Sequence, residues 1–297
     1  MEIIWVVKLV VFLKIDKILQ IFYAIRFHET LFSLPFCYIA MIIASRGWPL
    51  FSDFMWITIA LISARTIGMS MNRYIDRHID RKNPRTLKRH LPQKKFPAMY
   101  MVYISFVCIL ILSFSAFQLN KLSFFLVPLA ILFLLIYPYL KRLSWLANLV
   151  LGICLAIAPM GAWIGVTGSV DLIGILLSCS VVFWASGFDI VYHCQDVDFY
   201  KDEGLYSFAQ KFGIPLSLVI ARVFDIFAIL VLVIVGIVYG MGFYYYLGCI
   251  VGSIVLFLKH LDIFRFGLKN LRSTFVFWNI SFSFAIFAGV ITELLIF

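Results

Sequence analysis

Long apolar runs separated by short polar breaks leave this chain few ways to fold. Nine runs read as membrane spans, at about 28–46, 54–75, 97–118, 122–140, 146–167, 170–191, 214–238, 243–259 and 273–295. A helix needs about 20 mostly apolar residues to cross a hydrocarbon core, and these runs come close to that length. They are continuous rather than alternating, which argues against a membrane β-barrel. Only 13% of the residues are charged, where a water-soluble domain carries about a quarter. The expected fold is therefore all-α: a polytopic membrane protein with about nine transmembrane helices bundled around a central cavity, one domain over residues 1–297. Pro35 interrupts the first run, and neighbouring helices can satisfy the backbone group that a membrane proline leaves free. Residues 1–20 are apolar but carry Glu2, Lys8, Lys14, Asp16 and Lys17 and lack a small-residue cleavage pattern. They read as an interfacial segment leading into the first span.

Charge sets the expected orientation. Of the 25 Lys and Arg, 21 fall on alternate connections, the densest group running from Arg73 to Lys95. Arg46 and Lys121 lie on the other side, with Arg65 and Arg222 inside spans. By the positive-inside rule the N-terminus and the charged loops are cytoplasmic, in a cytoplasmic (inner) membrane. The net charge of +10 then describes one face of a protein embedded in a lipid bilayer, and it calls for no nucleic-acid partner. The six cysteines are scattered without a C-x-x-C pair, so they read as small packing residues rather than disulfides or zinc ligands.

Carboxylates are scarce, and seven of the 15 lie in two places. Asn72, Asp76 and Asp80, at i, i+4 and i+8, line one face of a helix. An amide and two carboxylates so placed can hold a hard cation through oxygen. A solvated face with alternating signs, as in Asp76-Arg77 and Asp80-Arg81, is the more common cause of such a spacing taken alone. Arg65 lies one heptad earlier on the same stripe, and an intramembrane Arg normally faces the bundle interior with a partner or an anion. The second group runs from Asp189 to Glu203, with Asp189, Tyr192 and Asp196 at i, i+3 and i+7. Asp198 reads as ligand or solvated acid alike, Asp202 and Glu203 as solvated acids, and His193 as a satisfied or exposed histidine. Two carboxylate groups facing each other would repel unless cations and an anion bridge them. A diphosphate with Mg²⁺ is such a bridge, since Mg²⁺ is commonly held by one or two carboxylates plus substrate phosphates. Lys141 and Arg142 are candidates to complete the clamp, or plain positive-inside anchors. An apolar chamber below would suit a substrate with a charged head and a greasy tail, such as a prenyl diphosphate.

At these residues the chain resembles the UbiA-type family of membrane aromatic prenyltransferases. Asn72-x-x-x-Asp76-x-x-x-Asp80 matches the first motif of that family, and Asp189-x-x-Tyr192-x-x-Gln195-Asp196 resembles the second. Ala64-Arg65-Thr66, Asn83-Pro84-Arg85-Thr86, Phe27 to Pro35, Tyr137-Pro138, Gly204-Leu205-x-Ser207, Phe212-Gly213 and Phe275-x-x-x-Asn279 match as well, from about residue 20 to the C-terminus. One position departs: the family commonly has an acid where this chain has Tyr200. Either Asp198 or Asp202 takes over there, or the second metal has fewer carboxylates. The resemblance implies that Asn72, Asp76, Asp80, Asp189 and Asp196 bind Mg²⁺ and a polyprenyl diphosphate. Arg65, Lys141 and Arg142 would stabilise the diphosphate or orient the carboxylate of a hydroxylated aromatic acid acceptor. Tyr192, Gln195 and Asp198 are further site candidates. The implied reaction is prenylation of an aromatic ring, with 4-hydroxybenzoate as acceptor or, alternatively, 1,4-dihydroxy-6-naphthoate. A secondary transporter is the competing class, which expects broken helices and ionisable residues near the bilayer midplane. A catalytically silent assembly protein finds support only in Tyr200.

Overall fold

The computed structural model describes residues 20–26, 30–268 and 271–296. The expected interfacial segment with Glu2, Lys8, Lys14, Asp16 and Lys17, together with Phe27, Glu29 and Lys269, lies outside the described residues, as do the side chains of Arg272 and Phe275. The long helices are α1 (Thr30–Ser45), α2 (Phe51–Lys82), α3 (Met99–Leu119), α4 (Lys121–Leu140), α5 (Ala147–Thr167) and α6 (Leu172–His193). After a 3-10 turn at Cys194–Asp196 come two short helices, α7 (Val197–Asp202) and α8 (Phe208–Phe212). Then α9 (Ile214–Tyr239), α10 (Phe243–Phe266) and α11 (Leu271–Ile291) complete the bundle, with a terminal π turn at Thr292–Ile296. No strand occurs among the described residues.

Eight segments are long and apolar enough to cross a membrane. The ninth expected span, 28–46, corresponds to α1, described over 16 residues from Thr30, and it packs into the bundle. Phe36, Ile39 and Ile43 are fully buried, and α1 lies chiefly against α5 and α11. The ring of Phe36 sits 5.1 Å from Trp184 of α6 and 5.9 Å from Phe282 of α11, and Trp184 donates its indole N–H to Asn279 Oδ1 at 3.0 Å. Buried indoles need such a partner in an apolar core.

The second span also departs from expectation. The apolar run ends near Met71, but α2 continues through the charged stripe to Lys82, for 32 residues in all. Nothing from Asn72 to Lys82 breaks a helix; Pro84 does. The residue before a proline is pushed out of the α region, and Asn83 accordingly has φ −80° and ψ 118°. The Asn72–Asp80 stripe is therefore helical, on a rod about 48 Å long that outlasts the bilayer core.

Two close approaches set the geometry that matters for the site. A Cβ added to Gly152 of α5 would lie 2.5 Å from the Val182 carbonyl of α6 and closer still to Ser186 Oγ. Only hydrogen fits there, which lets two helices without a mutual hydrophobic driving force pack at short range in lipid. At the charged end, Lys82 Nζ pairs with Glu203 Oε2 at 2.6 Å and the Tyr206 N–H donates to the Lys141 carbonyl at 2.7 Å. These contacts tie the ends of α2 and α4 to the α7–α8 connection. Gly152→Ala should destabilise the protein by about 1–3 kcal/mol through overpacking, read as a lower unfolding temperature in detergent than the wild type.

Candidate functional site

The charged end of the bundle encloses a polar chamber of about 210 Å³. Asn72, Asp76 and Asp80 reach it from α2, Asp189, Tyr192 and His193 from α6, Asp196 from the 3-10 turn and Lys141 from the end of α4. The helical spacing on α2 and the i, i+7 spacing on α6 thus face each other as two stripes. An apolar chamber of about 450 Å³ adjoins it, and Arg65, Met69 and Tyr137 line both.

Four carboxylates in so small a volume are stable only if paired or hydrogen-bonded, and each is. Asp76, 2% exposed, pairs with Lys141 Nζ and with Arg142 Nη2 at 3.2 Å, and accepts from Asn72 Nδ2 at 3.2 Å. Asp80 accepts from Arg89 Nη1 with both oxygens at 2.8 Å. Asp189 accepts from Asn148 Nδ2 at 2.7 Å and has His193 Nδ1 at 3.3 Å. Asp196 is held bidentately by Arg85, through Nε at 2.8 Å and Nη2, and accepts from Asn83 Nδ2 at 3.1 Å. Arg85 also donates to the Tyr192 hydroxyl at 2.5 Å and lies over its ring at 4.6 Å. The repulsion expected between the two groups is thus already offset by the chain's own cations.

Arg85 and Lys141 show how tight this balance is. Burial alone would lower the Arg85 pKa, but its bonds to Asp196 and the Tyr192 field raise it above the ordinary arginine value. Burial lowers the Lys141 pKa below the usual lysine value, although Asp76 works in the opposite direction. Six Arg and Lys (Arg26, Arg65, Arg73, Arg85, Arg89, Lys141) line the chamber against four Asp. The excess of positive charge favours an anion.

Three sequence candidates fall elsewhere. Asp198 is exposed on α7 and does not line the chamber; two residues past Asp196 on a helical path, it points away. Gln195 donates Nε2 to the Leu268 carbonyl at 2.7 Å, tying the 3-10 turn to the α10–α11 connection. Arg142 meets Asp76 from outside the chamber wall and donates Nη1 to the Pro138 carbonyl at 2.9 Å. Tyr200 lines the chamber, buried, with its ring 5.3 Å from His193. Neither Asp198 nor Asp202 takes the place of the acid it replaces, for both are exposed. Sequence reasoning missed Arg89 and Asn148, and gave Asn83 and Arg85 no site role although it quoted their motif. It read His193 as a satisfied or exposed histidine, and it is satisfied. His193 carried a signal, lying four residues after Asp189; Asn148 carried none.

The oxygen donors suit Mg²⁺, a hard cation. Among the described residues no three His, Cys, Asp or Glu converge closely enough to hold a metal unaided. That agrees with a site in which one or two carboxylates share a metal with substrate phosphates.

A family model for the UbiA prenyltransferase family matches residues 33–281. The chain belongs to the UbiA prenyltransferase family. This UbiA-family chain is a multi-pass membrane protein. It is 28% identical over 254 residues to the 4-hydroxybenzoate octaprenyltransferase of Blochmanniella floridana, covering 85% of this chain and 89% of that one. It is 24% identical over 243 residues to the enzyme of the same name from Francisella tularensis subsp. novicida (strain U112), covering 80% and 83%. Among solved structures, the apo UbiA homolog of Aeropyrum pernix K1 superposes with a TM-score of 0.81 at 27% identity, covering 89% of this chain and 98% of that one. The Archaeoglobus fulgidus UbiA homolog bound to DMAPP and Mg²⁺ superposes at 0.66 with 16% identity, covering 91% and 99%, a likeness of fold. Within the UbiA-family chamber, Asp196→Ala should lower prenyl-transfer turnover about 10²–10³-fold, the range for loss of one preorganised electrostatic group. Asp198→Ala should stay within about twofold in the same assay, as a surface substitution away from the site.

Proposed function

We propose that the protein is an integral-membrane, Mg²⁺-dependent aromatic prenyltransferase that moves a polyprenyl group from its diphosphate to the ring of 4-hydroxybenzoate in quinone biosynthesis. The observation that carries this reading is the junction of the two chambers. A charged chamber with an excess of cations opens at Arg65, Met69 and Tyr137 onto an apolar one more than twice its size. An amphiphile with an anionic head and an isoprenoid tail fits both at once. The names of the bacterial relatives and the DMAPP and Mg²⁺ in the archaeal fold relative support the same reading.

On this reading Asn72, Asp76, Asp80, Asp189 and Asp196 hold Mg²⁺ and, through it, the diphosphate. Bound Mg²⁺ supplies charge neutralisation to the departing diphosphate. Lys141, Arg85 and Arg89 stand within the same chamber and would donate to the phosphate oxygens, with the carboxylates holding the metal when it is bound. Their donors are aimed where negative charge grows as the allylic C–O bond breaks. Tyr137, Phe188 and Tyr192 line the chamber and present aromatic faces to the allylic cation. The acceptor ring attacks that carbon, forming the new C–C bond, and its ring proton then passes to the departed diphosphate. Arg65 orients the acceptor carboxylate at the junction. The cytoplasmic side of an inner membrane is the proposed location of the chamber, from the distribution of basic residues.

Purified protein with Mg²⁺ and a labelled polyprenyl diphosphate should prenylate 4-hydroxybenzoate, and chelation of Mg²⁺ should abolish product. Product with 1,4-dihydroxy-6-naphthoate alone would move the acceptor and keep the chemistry; product with neither acid would overturn the reading. Asp76→Ala should reduce turnover to background while the protein still elutes as the folded species on size exclusion. Full activity in that variant would remove Asp76 from the metal site.

A further inference from the structure

A second ionisable cluster lies between α9 and α10, away from the chambers. Asp225 Oδ2 faces Lys259 Nζ at 2.5 Å and His260 Nε2 at 2.6 Å. Asp225 is 3% exposed and Lys259 1%, and ions this deep in a membrane bundle persist only when paired. One carboxylate thus serves one lysine and one imidazole. Arg222 precedes Asp225 by one turn and is exposed. Among the described residues no carboxylate lies within ion-pair distance of it.

Arg222, Asp225 and His260 line a groove of about 530 Å³, with Lys259 buried behind its wall. Ile226, Leu230 and Phe257 form its outer walls, with Ile226 59% and Phe257 67% exposed. It exists because α9 packs mainly along α6 and α10 mainly along α11, leaving the α9–α10 seam the looser one. Arg222 is eight residues from the start of α9 at Ile214, about 12 Å along the helix from the charged end of the bundle. An Arg stem can carry its guanidinium several ångströms back toward the interface.

We propose that this groove binds an acidic phospholipid, with its phosphate on Arg222 and its chains along Ile226, Leu230 and Phe257. The charge balance argues for an anion: buried Lys259 already matches Asp225, which leaves the charge of Arg222 uncompensated in the groove. Arginine suits phosphate because its planar fork donates two parallel hydrogen bonds. Basic pockets between transmembrane helices are a recurrent way of holding anionic headgroups. A volume of this size fits a headgroup and the upper part of its chains, not a helix of a second protein. Asp225 has a positioning role: it holds His260 on the groove floor and Lys259 behind it, and leaves Arg222 as the cation facing the lipid.

Native mass spectrometry of the full-length protein, offered phosphatidylglycerol and phosphatidylcholine in equal amounts, tests this. Phosphatidylglycerol should be retained about fivefold over phosphatidylcholine, the factor expected for one basic residue at the membrane surface. R222Q should erase the preference while leaving the unfolding temperature in detergent unchanged. S253W, which fills the groove, should lose one bound lipid of either kind. Inorganic phosphate alone should not displace the lipid. Equal retention of both lipids by the wild type, or an undiminished preference in R222Q, overturns the proposal. So does displacement by inorganic phosphate, or a dimer mass in place of the bound lipid.

Discussion

The neutralisation of Asp76 and its three companion carboxylates is the constraint on which the rest of this structure depends. A carboxylate buried at a membrane surface costs several kcal/mol unless its charge is met. The chain meets that cost with partners drawn from three places. Lys141 and Arg142 come from the end of α4, Arg89 and Arg85 from the connection after α2, and Asn148 from the start of α5. The electrostatics therefore fasten one end of the bundle. The other end and the middle are held by apolar packing around Phe36, Trp184 and Phe282.

This division follows from the solvent. In hydrocarbon, helices gain little from hiding apolar side chains from one another, so they rely on close packing and a few directional bonds. Gly152 against Val182 and Trp184 to Asn279 are contacts of that kind. At the interface, water competes for polar groups, and bidentate or multiply bonded pairs such as Arg85–Asp196 prevail over single ones. The same pairs that stabilise the fold also place the cations where an anionic group would be received.

Much of this was legible in the sequence, and the reasons for the rest are specific. The apolar runs located the long helices because lipid leaves a chain no other way to satisfy its backbone. The i, i+4, i+8 stripe put Asn72, Asp76 and Asp80 on one face because helical periodicity alone decides it. Periodicity could not foresee which face of α1 packs against α5 and α11, since apolar composition looks alike against lipid and against protein. Nor could it foresee Arg85 and Arg89 folding back onto Asp196 and Asp80. Those bonds close across a connection whose path is set by the turn at Asn83-Pro84 and by Thr86 Oγ1 bonding the Asp80 carbonyl at 2.9 Å. Asn148 reaches Asp189 only because Gly152, one helical turn further on, lets α5 lie against α6. Asp198 misled because a carboxylate beside a motif and one inside it are identical as letters.

The length of α2 has one more consequence. A rod of 32 residues overshoots a hydrocarbon slab by roughly 18 Å, and the polar chamber is built on the overshooting part. Chemistry performed there would take place at a phase boundary. A reactant with an isoprenoid tail would approach sideways, by diffusion within two dimensions; a small charged one would arrive from water in three. The two would have no common solvent in which to meet. The helix that is too long for its membrane supplies the one place where both are soluble.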